Sequence, residues 1–148
     1  MKHSWKKVSV LLLTLALMTV TLVVPAVAAE QSSLYLSGYR AWLTPQSGGK
    51  IAVSIDVQAV DDMDDIGALA VEIYESSDGG STWGRVRTYY SALYPELLVQ
   101  DDVLYFDTPI YHQGTAGYKY FAVVEVYAGD STGSDSREYQ TYTVTAIP

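Results

Sequence analysis

The sequence predicts an all-β protein, a sandwich of seven strands with at most one short helix. Three observations support this fold class. Apolar and polar residues alternate in short runs, most clearly over residues 51–57, where Ile51, Val53, Ile55 and Val57 fall on one face. Gly, Asp and Ser separate these runs, as turn residues do in sandwiches and barrels. The chain contains no heptad pattern and no internal repeat.

The strands follow in order from the alternation and from the turn signals. A tight turn is expected at residues 78–80, between the third and fourth strands. In the third strand, Leu69, Val71 and Ile73 should face the core. Residues 92–99 alternate poorly, so they are predicted to contain one helical turn. The seven predicted strands are residues 34–43, 51–57, 68–75, 83–90, 103–110, 118–127 and 137–146.

Seven strands over about 115 residues are typical of the immunoglobulin-like or fibronectin type III-like architecture. Residues 114–122 look like the start of the sixth strand in that fold, where a tyrosine hydroxyl bonds to upstream backbone. Tyr118 and Tyr120 both have the parity for this role. The chain has no cysteine, and it lacks the core tryptophan of antibody domains. The prediction is therefore the sandwich shape and not an antibody-type domain.

The N-terminus predicts export. Three lysines among the first seven residues precede an uncharged, almost wholly apolar run over residues 8–24. Small residues behind Pro25 form a cleavage site after Ala28 or Ala29. A retained membrane anchor is the alternative, because about 17 apolar residues can just span a bilayer. We expect residues 1–29 to be a cleaved signal peptide and residues 30–148 to be one domain that is secreted or held at the cell surface.

The composition excludes several classes of function. The leader holds three of the nine basic residues and none of the seventeen acidic ones, so its removal changes the formal net charge from −8 to −11. Such a protein repels nucleic acids and anionic membranes, because phosphate binding needs clustered Lys and Arg. Without cysteine the chain forms no disulfide and no thiolate metal site, and without asparagine it has no N-glycosylation site. We expect no nucleic-acid partner and no membrane insertion after cleavage.

The most specific motif covers residues 76–83, Ser-Ser-Asp-Gly-Gly-Ser-Thr-Trp. It resembles the Asp-box, S-x-D-x-G-x-T-W, of bacterial sialidases and other secreted β proteins, in which it is a hairpin device. Asp binds turn backbone, and Gly supplies a positive φ. A sialidase propeller needs several blades, and this chain has room for fewer than two. A structural hairpin is therefore expected from the matching residues Ser76, Asp78, Gly80, Thr82 and Trp83.

The whole domain after the leader is similar to a family of short secreted bacterial domains of unknown function. The stretches that carry the resemblance are Ser-Leu-Tyr-Leu-Ser-Gly-Tyr at 33–39, Met-Asp-Asp-Ile-Gly at 63–67, Gln-Gly-Thr-Ala-Gly at 113–117, Tyr-Ala-Gly-Asp at 127–130 and Asp-Ser-Arg at 135–137. The resemblance implies secretion and a β-sandwich. It implies no activity.

Catalytic signals are few. His112 is the single histidine after the leader, and it has no nucleophile motif near it. A Ser-His-Asp base needs an orienting carboxylate, so a surface or turn histidine is the preferred interpretation. Paired carboxylates serve most glycosidases, but the carboxylates of this chain fall mostly in loops. We expect no enzyme activity and keep a small glycan-active hydrolase as the alternative.

Eight aspartates are expected to gather at one pole of the sandwich, in the loops after the second and sixth strands and before the fifth. Calcium binds six to eight oxygen ligands, so a calcium-stabilised extracellular domain is one hypothesis. Solvated turn aspartates are the alternative, and no other cofactor is expected. The eight are Asp61, Asp62, Asp64, Asp65, Asp101, Asp102, Asp130 and Asp135.

An aromatic sheet face is the predicted binding surface. Tyr and Arg are enriched where interfaces concentrate their energy, and aromatic rings also stack on sugars. Cross-strand pairing that merely stabilises the sheet is the alternative. The leading hypothesis is a secreted, non-enzymatic binding or surface-interaction module that contacts protein or glycan. By strand parity its face holds Tyr74, Arg85, Arg87, Tyr89, Phe121, Tyr127, Arg137 and Tyr139.

Overall fold

The computed structural model describes residues 33–148. These residues contain nine strands and two 3₁₀ turns of three residues each. The predicted leader lies outside the described residues. The prediction of an all-β protein is confirmed. The strands are β1 (Leu36–Pro45), β2 (Lys50–Met63), β3 (Asp65–Ser76), β4 (Gly84–Tyr90), β5 (Leu98–Val99), β6 (Asp102–Gln113), β7 (Lys119–Asp130), β8 (Gly133–Gln140) and β9 (Val144–Thr145), and the turns are Ser47–Gly49 and Pro95–Leu97.

The predicted number of seven strands is wrong. Seven of the nine strands overlap the predicted runs, and the other two, β5 and β9, have two residues each. The run predicted over residues 137–146 is divided at Thr141, whose Oγ1 accepts the Ala122 N–H at 2.9 Å. The chain then continues as β9 beside the start of β7. The helical turn expected within residues 92–99 is present as Pro95–Leu97, and the turn Ser47–Gly49 is a second one.

The strands form two antiparallel sheets. The small sheet has the order β1-β2-β6, and the large sheet has the order β4-β3-β7-β8, with β5 beside β3 and β9 beside β7. Consecutive strands β2 and β3 belong to different sheets, so the short turn between them crosses from one sheet to the other. The two sheets share one apolar core. Each sheet therefore has one face in that core and one outer face.

The core rows follow from the strand period of two. Ile51, Val53, Ile55 and Val57 are each at most 1% exposed, as their alternation predicts. The large sheet contributes alternate residues of β3 and β7, all 0% exposed. These are Ile66, Ala68, Val71, Ile73, Tyr120, Ala122, Val124 and Val126.

A β-bulge in β3 makes one core prediction wrong. Leu69 is only half-buried, although the parity of Val71 and Ile73 places it in the core. Ala68 pairs with Val126 and Ala70 with Glu125, so Leu69 is the extra residue of the bulge. Its carbonyl accepts the N–H of Ser91 at 2.9 Å instead of a ladder bond.

The edge strand β6 is protected against pairing with another strand. Oδ1 of Asp102 accepts the N–H groups of Val103 (2.7 Å) and Leu104 (3.1 Å), and Oδ1 of Asp107 accepts that of Thr108 at 2.6 Å. Pro109 has no N–H to donate. As a result, several backbone N–H groups of β6 are not available to an added strand.

Candidate functional site

Four of the eight residues predicted to form one binding face do share the outer face of the large sheet, and three of the four lie together. Tyr74, Arg85 and Phe121 occupy one cross-strand row on the outer face of the large sheet, because Tyr74 pairs with Arg85 on one side and with Phe121 on the other. Tyr127 lies further along β7 on the same face, between the buried Val126 and Ala128.

Two residues of β4 lie on the opposite face from their predicted one. Arg87 pairs with Ile73, and Tyr89 pairs with Val71, so both belong to core rows. Val86 is the reason: it is the extra residue of a bulge between the Arg85 and Arg87 pairs, and one extra residue reverses the parity of everything beyond it. Tyr89 is accordingly 8% exposed.

The two predicted residues of β8 also lie on core rows. Arg137 pairs with Val126, and Tyr139 pairs with Val124. Tyr139 meets the edge of Tyr39 from the small sheet, with ring centroids 6.2 Å apart. The register of β8 against β7 determines these positions, and strand parity alone contains no information about register.

The aromatic residues on the outer face of the large sheet mainly contact each other. Tyr74 stacks on Phe121 with ring centroids 4.8 Å apart and planes 5° apart, and Trp83 meets Phe121 edge-on at 4.7 Å. Glu72 accepts a hydrogen bond from the Tyr74 hydroxyl at 2.8 Å and pairs with Arg85 at 2.5 Å. The hydrogen bond to Glu72 raises the pKa of Tyr74. This packing fits the cross-strand alternative, since the ring faces are already partly covered.

The hairpin after β3 is organised by one carboxylate. Oδ1 of Asp78 accepts the N–H groups of Ser81 and Thr82, both at 2.9 Å, and Oδ2 accepts the Thr82 hydroxyl at 2.7 Å. Ser76 donates its hydroxyl to Asp78 Oδ1 at 2.7 Å. Gly80 has a φ of +101°. The expected bonding of the Asp side chain to turn backbone and the expected positive φ are both present.

The hairpin should lose stability in acid, and Asp78→Asn should weaken that loss. The Thr82 hydroxyl, the Thr82 N–H and the Ser76 hydroxyl hold the pKa of Asp78 far below its ordinary value of 3.8. A lowered folded-state pKa stabilises the fold above the ordinary value, and this stabilisation disappears as the pH falls through the folded-state pKa. We expect the melting temperature of the wild type to fall below about pH 4 and that of Asp78→Asn to fall less steeply.

Calorimetry between neutral pH and acid measures both slopes. Asp64→Asn is the matched control, because it removes a carboxylate from an exposed turn outside the hairpin. Asp64→Asn should keep the slope of the wild type. A wild-type slope in Asp78→Asn would contradict the structural role of Asp78.

The three aspartate loops do meet at one pole of the molecule. Met63 pairs with Asp102, and Asp65 pairs with Gly129, next to Asp130. Their carboxylates bind local groups. Oδ1 of Asp61 accepts its neighbour's N–H at 2.9 Å, and Asp130 accepts the N–H of Thr132 at 2.7 Å. Hydrogen bonds from Thr132 lower the pKa of Asp130, and the bond from the hydroxyl contributes more than the bond from the N–H.

The remaining bonds at this pole are also local. Asp102 caps the two N–H groups described above, and Asp135 pairs with Arg137 at 2.6 Å. Within residues 33–148, no three Asp, Glu or His side chains stand close enough to hold a metal ion. The observed bonds of Asp61, Asp102 and Asp130 are those of aspartates that accept from nearby backbone N–H groups.

Calcium should raise the melting temperature no more than sodium chloride of equal ionic strength. Screening of like charges then explains the whole effect of salt, since a calcium site needs six to eight converging oxygens. Thermal melts in the two salts at matched ionic strength test this. A larger rise with calcium that Asp64→Ala and Asp65→Ala abolish would restore the metal hypothesis.

The tyrosine expected to bond to upstream backbone is Tyr120. Its hydroxyl accepts the Thr115 N–H at 2.8 Å and donates to Glu75 on β3. The side chain is 0% exposed, whereas Tyr118 is half-buried. Burial and the hydrogen bond to Glu75 raise the pKa of Tyr120. These bonds tie the loop before β7 to β7 and β3.

His112 lies between the sheets rather than in a surface turn. It is half-buried, and its Nδ1 is 3.3 Å from the Tyr89 hydroxyl, while its ring is 5.8 Å from that of Tyr120. Burial lowers its pKa, although Glu75 opposes the shift and Arg87 adds to it. The contacts of His112 are those of a packed residue, and they differ from the Ser-His-Asp pattern.

The small sheet carries an aromatic and cationic outer face that was not predicted from the sequence. The Arg40 guanidinium lies 5.3 Å from the Trp42 ring centroid, and Trp42 lies 6.1 Å from Phe106. At the other end Lys50 lies 4.4 Å from the Tyr111 ring. Phe106 is 64% exposed and Tyr111 is 53% exposed. We call this the small-sheet face; it comprises Arg40, Trp42, Lys50, Asp56, Gln58, Leu104, Phe106 and Tyr111.

Polar groups lie beside these rings. Arg40 Nε donates to Asp56 Oδ2 at 2.9 Å. The pair borders a pocket of about 140 Å³ lined by Gly38, Tyr39, Arg40, Asp56 and Gln58. The outward position of Arg40 and Trp42 was readable from the alternation around the buried Ala41 and Leu43.

The shared face of Phe106 and Tyr111 was not readable from parity. Five positions separate them, which places them on opposite faces of a regular strand. The pairs of Val53 with Ile110 and of Ile55 with Asp107 leave Thr108 and Pro109 opposite Ser54, and this bulge returns both rings to one face.

Comparison of the chain with protein-family models, with curated proteins and with solved structures finds no match. Within the described part of the chain, no helix has the length and apolar character needed to cross a membrane.

Proposed function

We propose that this protein is an exported, non-enzymatic binding module and that the small-sheet face is its contact surface. The observation that carries the proposal is the exposure of Phe106, which lies beside the half-buried Trp42, and of Tyr111 on the same face. Large aromatic side chains that remain in solvent on a regular sheet lose the burial that normally stabilises them. Such rings recur where interfaces concentrate binding energy.

The small-sheet face supports this function better than the outer face of the large sheet. On the large sheet, Tyr74, Phe121 and Trp83 pack against one another, and all three are half-buried. A ligand would find little uncovered ring surface there. The rings of Phe106 and Tyr111 stand open, and each has a cation or another ring beside it.

The finer fold type that we propose is that of fibronectin type III. A constant-type immunoglobulin sandwich places its fourth strand in the sheet of the first, second and fifth. Here the fourth long strand, β4, joins β3 in the other sheet. The bond from Thr115 to Tyr120 further supports a relationship in shape, because immunoglobulin-like sandwiches have such a tyrosine corner.

We propose no enzymatic activity. Asp61, Asp102 and Asp130 bond to the N–H groups of their own turns. Asp135 pairs with Arg137. These contacts support a structural role for the loop carboxylates over the glycan-active hydrolase alternative. Export is proposed from the leader, with a mature N-terminus at Ala29 or Glu30.

Phe106→Ala should abolish most of the binding that the exported protein shows on a glycan array or on insoluble cell-wall preparations. Removing a ring at the centre of an interface costs about 2 kcal/mol or more. The fold should survive, because the side chain is 64% exposed. Tyr142→Ala is the matched control, since Tyr142 is an exposed aromatic residue outside the strands. Equal binding by both variants would contradict the proposal, and so would a failure to bind glycan, cell-wall and protein probes alike.

A further inference from the structure

We infer that the small-sheet face binds an extended, uncharged polysaccharide chain. This inference rests on the proposed function, and it adds the chemical class of the ligand. Four features of the face carry it: its dimensions, the spacing of its rings, the polar groups beside the rings, and the protection of the neighbouring strand edge.

The dimensions of the face favour a narrow polymer. Three strands spaced at about 4.8 Å make a surface roughly 14 Å wide. The ten residues of β1 extend about 33 Å at ~3.3 Å per residue. The face is therefore a long, narrow strip with a flat footprint of about 450 Å². A polymer chain lying along the strands would fit this strip.

The rings are spaced along the strip. Phe106 and Tyr111 pair with Asp56 and Ala52, which are four residues apart on β2, so the two rings are about 13 Å apart along the strip at ~3.3 Å per residue. Trp42 lies beside Phe106. An aromatic face is electrically negative, so it attracts the partly positive C–H groups on the flat side of a sugar ring. Only a chain of several linked sugar rings would reach both ends of this row.

The polar groups beside the rings can form hydrogen bonds with the hydroxyl groups of a sugar. Arg40 contacts Asp56 through Nε and Oδ2, so its two terminal amino groups and Asp56 Oδ1 remain to donate and to accept. Adjacent sugar hydroxyls need such a donor and acceptor side by side. Gln58 adds both kinds of group to the same pocket of about 140 Å³.

The charge balance favours an uncharged ligand. On the face, Asp56 neutralises Arg40 and leaves the single charge of Lys50, whereas the chain as a whole has a formal net charge of −8. A polyanion would therefore be repelled at long range. An extended peptide that binds as an added strand is also disfavoured beside β6. The β6 edge is protected by Asp102, Asp107 and Pro109.

The test measures affinity of the exported protein for soluble neutral polysaccharides, a β-glucan, a xylan and a mannan, by titration calorimetry. Alginate is the acidic comparison. We expect binding to at least one neutral polymer and none to alginate. Phe106→Ala and Trp42→Ala should each weaken the binding about tenfold or more, and Tyr142→Ala should not. Affinity should also rise with the length of oligosaccharide fragments until the row of rings is covered.

The overturning results separate this inference from the proposed function. If Phe106-dependent binding is found only for alginate or only for a protein target, the ligand class is wrong and the binding module stands. If no neutral polymer binds, the inference is likewise overturned. If a neutral polymer binds but Phe106→Ala and Trp42→Ala bind as well as the wild type, both the ligand site and the proposed contact surface are wrong.

Discussion

Gly67→Ala is expected to destabilise the protein by about 3 to 5 kcal/mol, enough to unfold a marginal domain. Gly67 has a φ of +145°, which residues with a side chain avoid. A Cβ at this position would lie 2.1 Å from the carbonyl oxygen of Leu97. The obstacle is backbone, held by the pairing of Gly67 with Leu98, so it has no rotamer that would relieve the clash.

Urea unfolding measures the loss, and Gly84→Ala is the matched control. Gly84 lies on β4 of the same sheet, has no positive φ, and would place a Cβ in open space, with no neighbouring atom within 4 Å. Its replacement should change the free energy of unfolding by less than about 0.5 kcal/mol. Similar stability of the two variants would show that β5 does not press against β3 at this position.

Tyr120→Phe should cost about 2 kcal/mol with no change in core volume. The substitution removes the acceptor of the Thr115 N–H and the donor to Glu75. Without the Tyr120 hydroxyl, the Thr115 N–H and the Glu75 carboxylate must be hydrated at the edge of the core or stay without a partner. Leaving a buried polar group without its hydrogen-bond partner costs more free energy than the bond itself contributes. We therefore expect a clear decrease in the urea midpoint at unchanged m-value.

Tyr118→Phe is the control for Tyr120→Phe, because Tyr118 lies two positions away on the same parity and is only half-buried. It should retain the stability of the wild type. Equal stability losses in the two variants would contradict the assignment of the corner to Tyr120. Hydrogen exchange gives a second readout, since the Thr115 amide should exchange faster in Tyr120→Phe alone.

Local patterns were enough to predict much of this protein. The row Ile51, Val53, Ile55 and Val57 is buried as the period of two requires. The bonding of Asp78 within its turn follows from the chemistry of an acceptor side chain beside flexible glycines. In both cases the interacting groups are close along the chain, so sequence spacing determines their geometry.

The wrong placements of Leu69, Arg87 and Tyr89 share one physical cause, the β-bulge, whereas those of Arg137 and Tyr139 follow from the register of β8 against β7. Leu69, Val86 and the pair Thr108 and Pro109 each add a residue to one strand of a pair. A single extra residue moves every later side chain to the other face. The bulge at Val86 therefore places Arg87 and Tyr89 on the opposite face of β4 from the predicted one.

The sequence by itself determined the all-β class, the main strands and the hairpin at Asp78, because these depend on alternation and turn chemistry within a few residues. Only the tertiary structure decided which aromatic residues share a surface. The pairing of β6 with β2 brings Phe106 beside Asp56 and Tyr111 beside Ala52. Those partners are 50 and 59 residues away along the chain. Register between distant strands is determined by packing and by bulges rather than by any local signal.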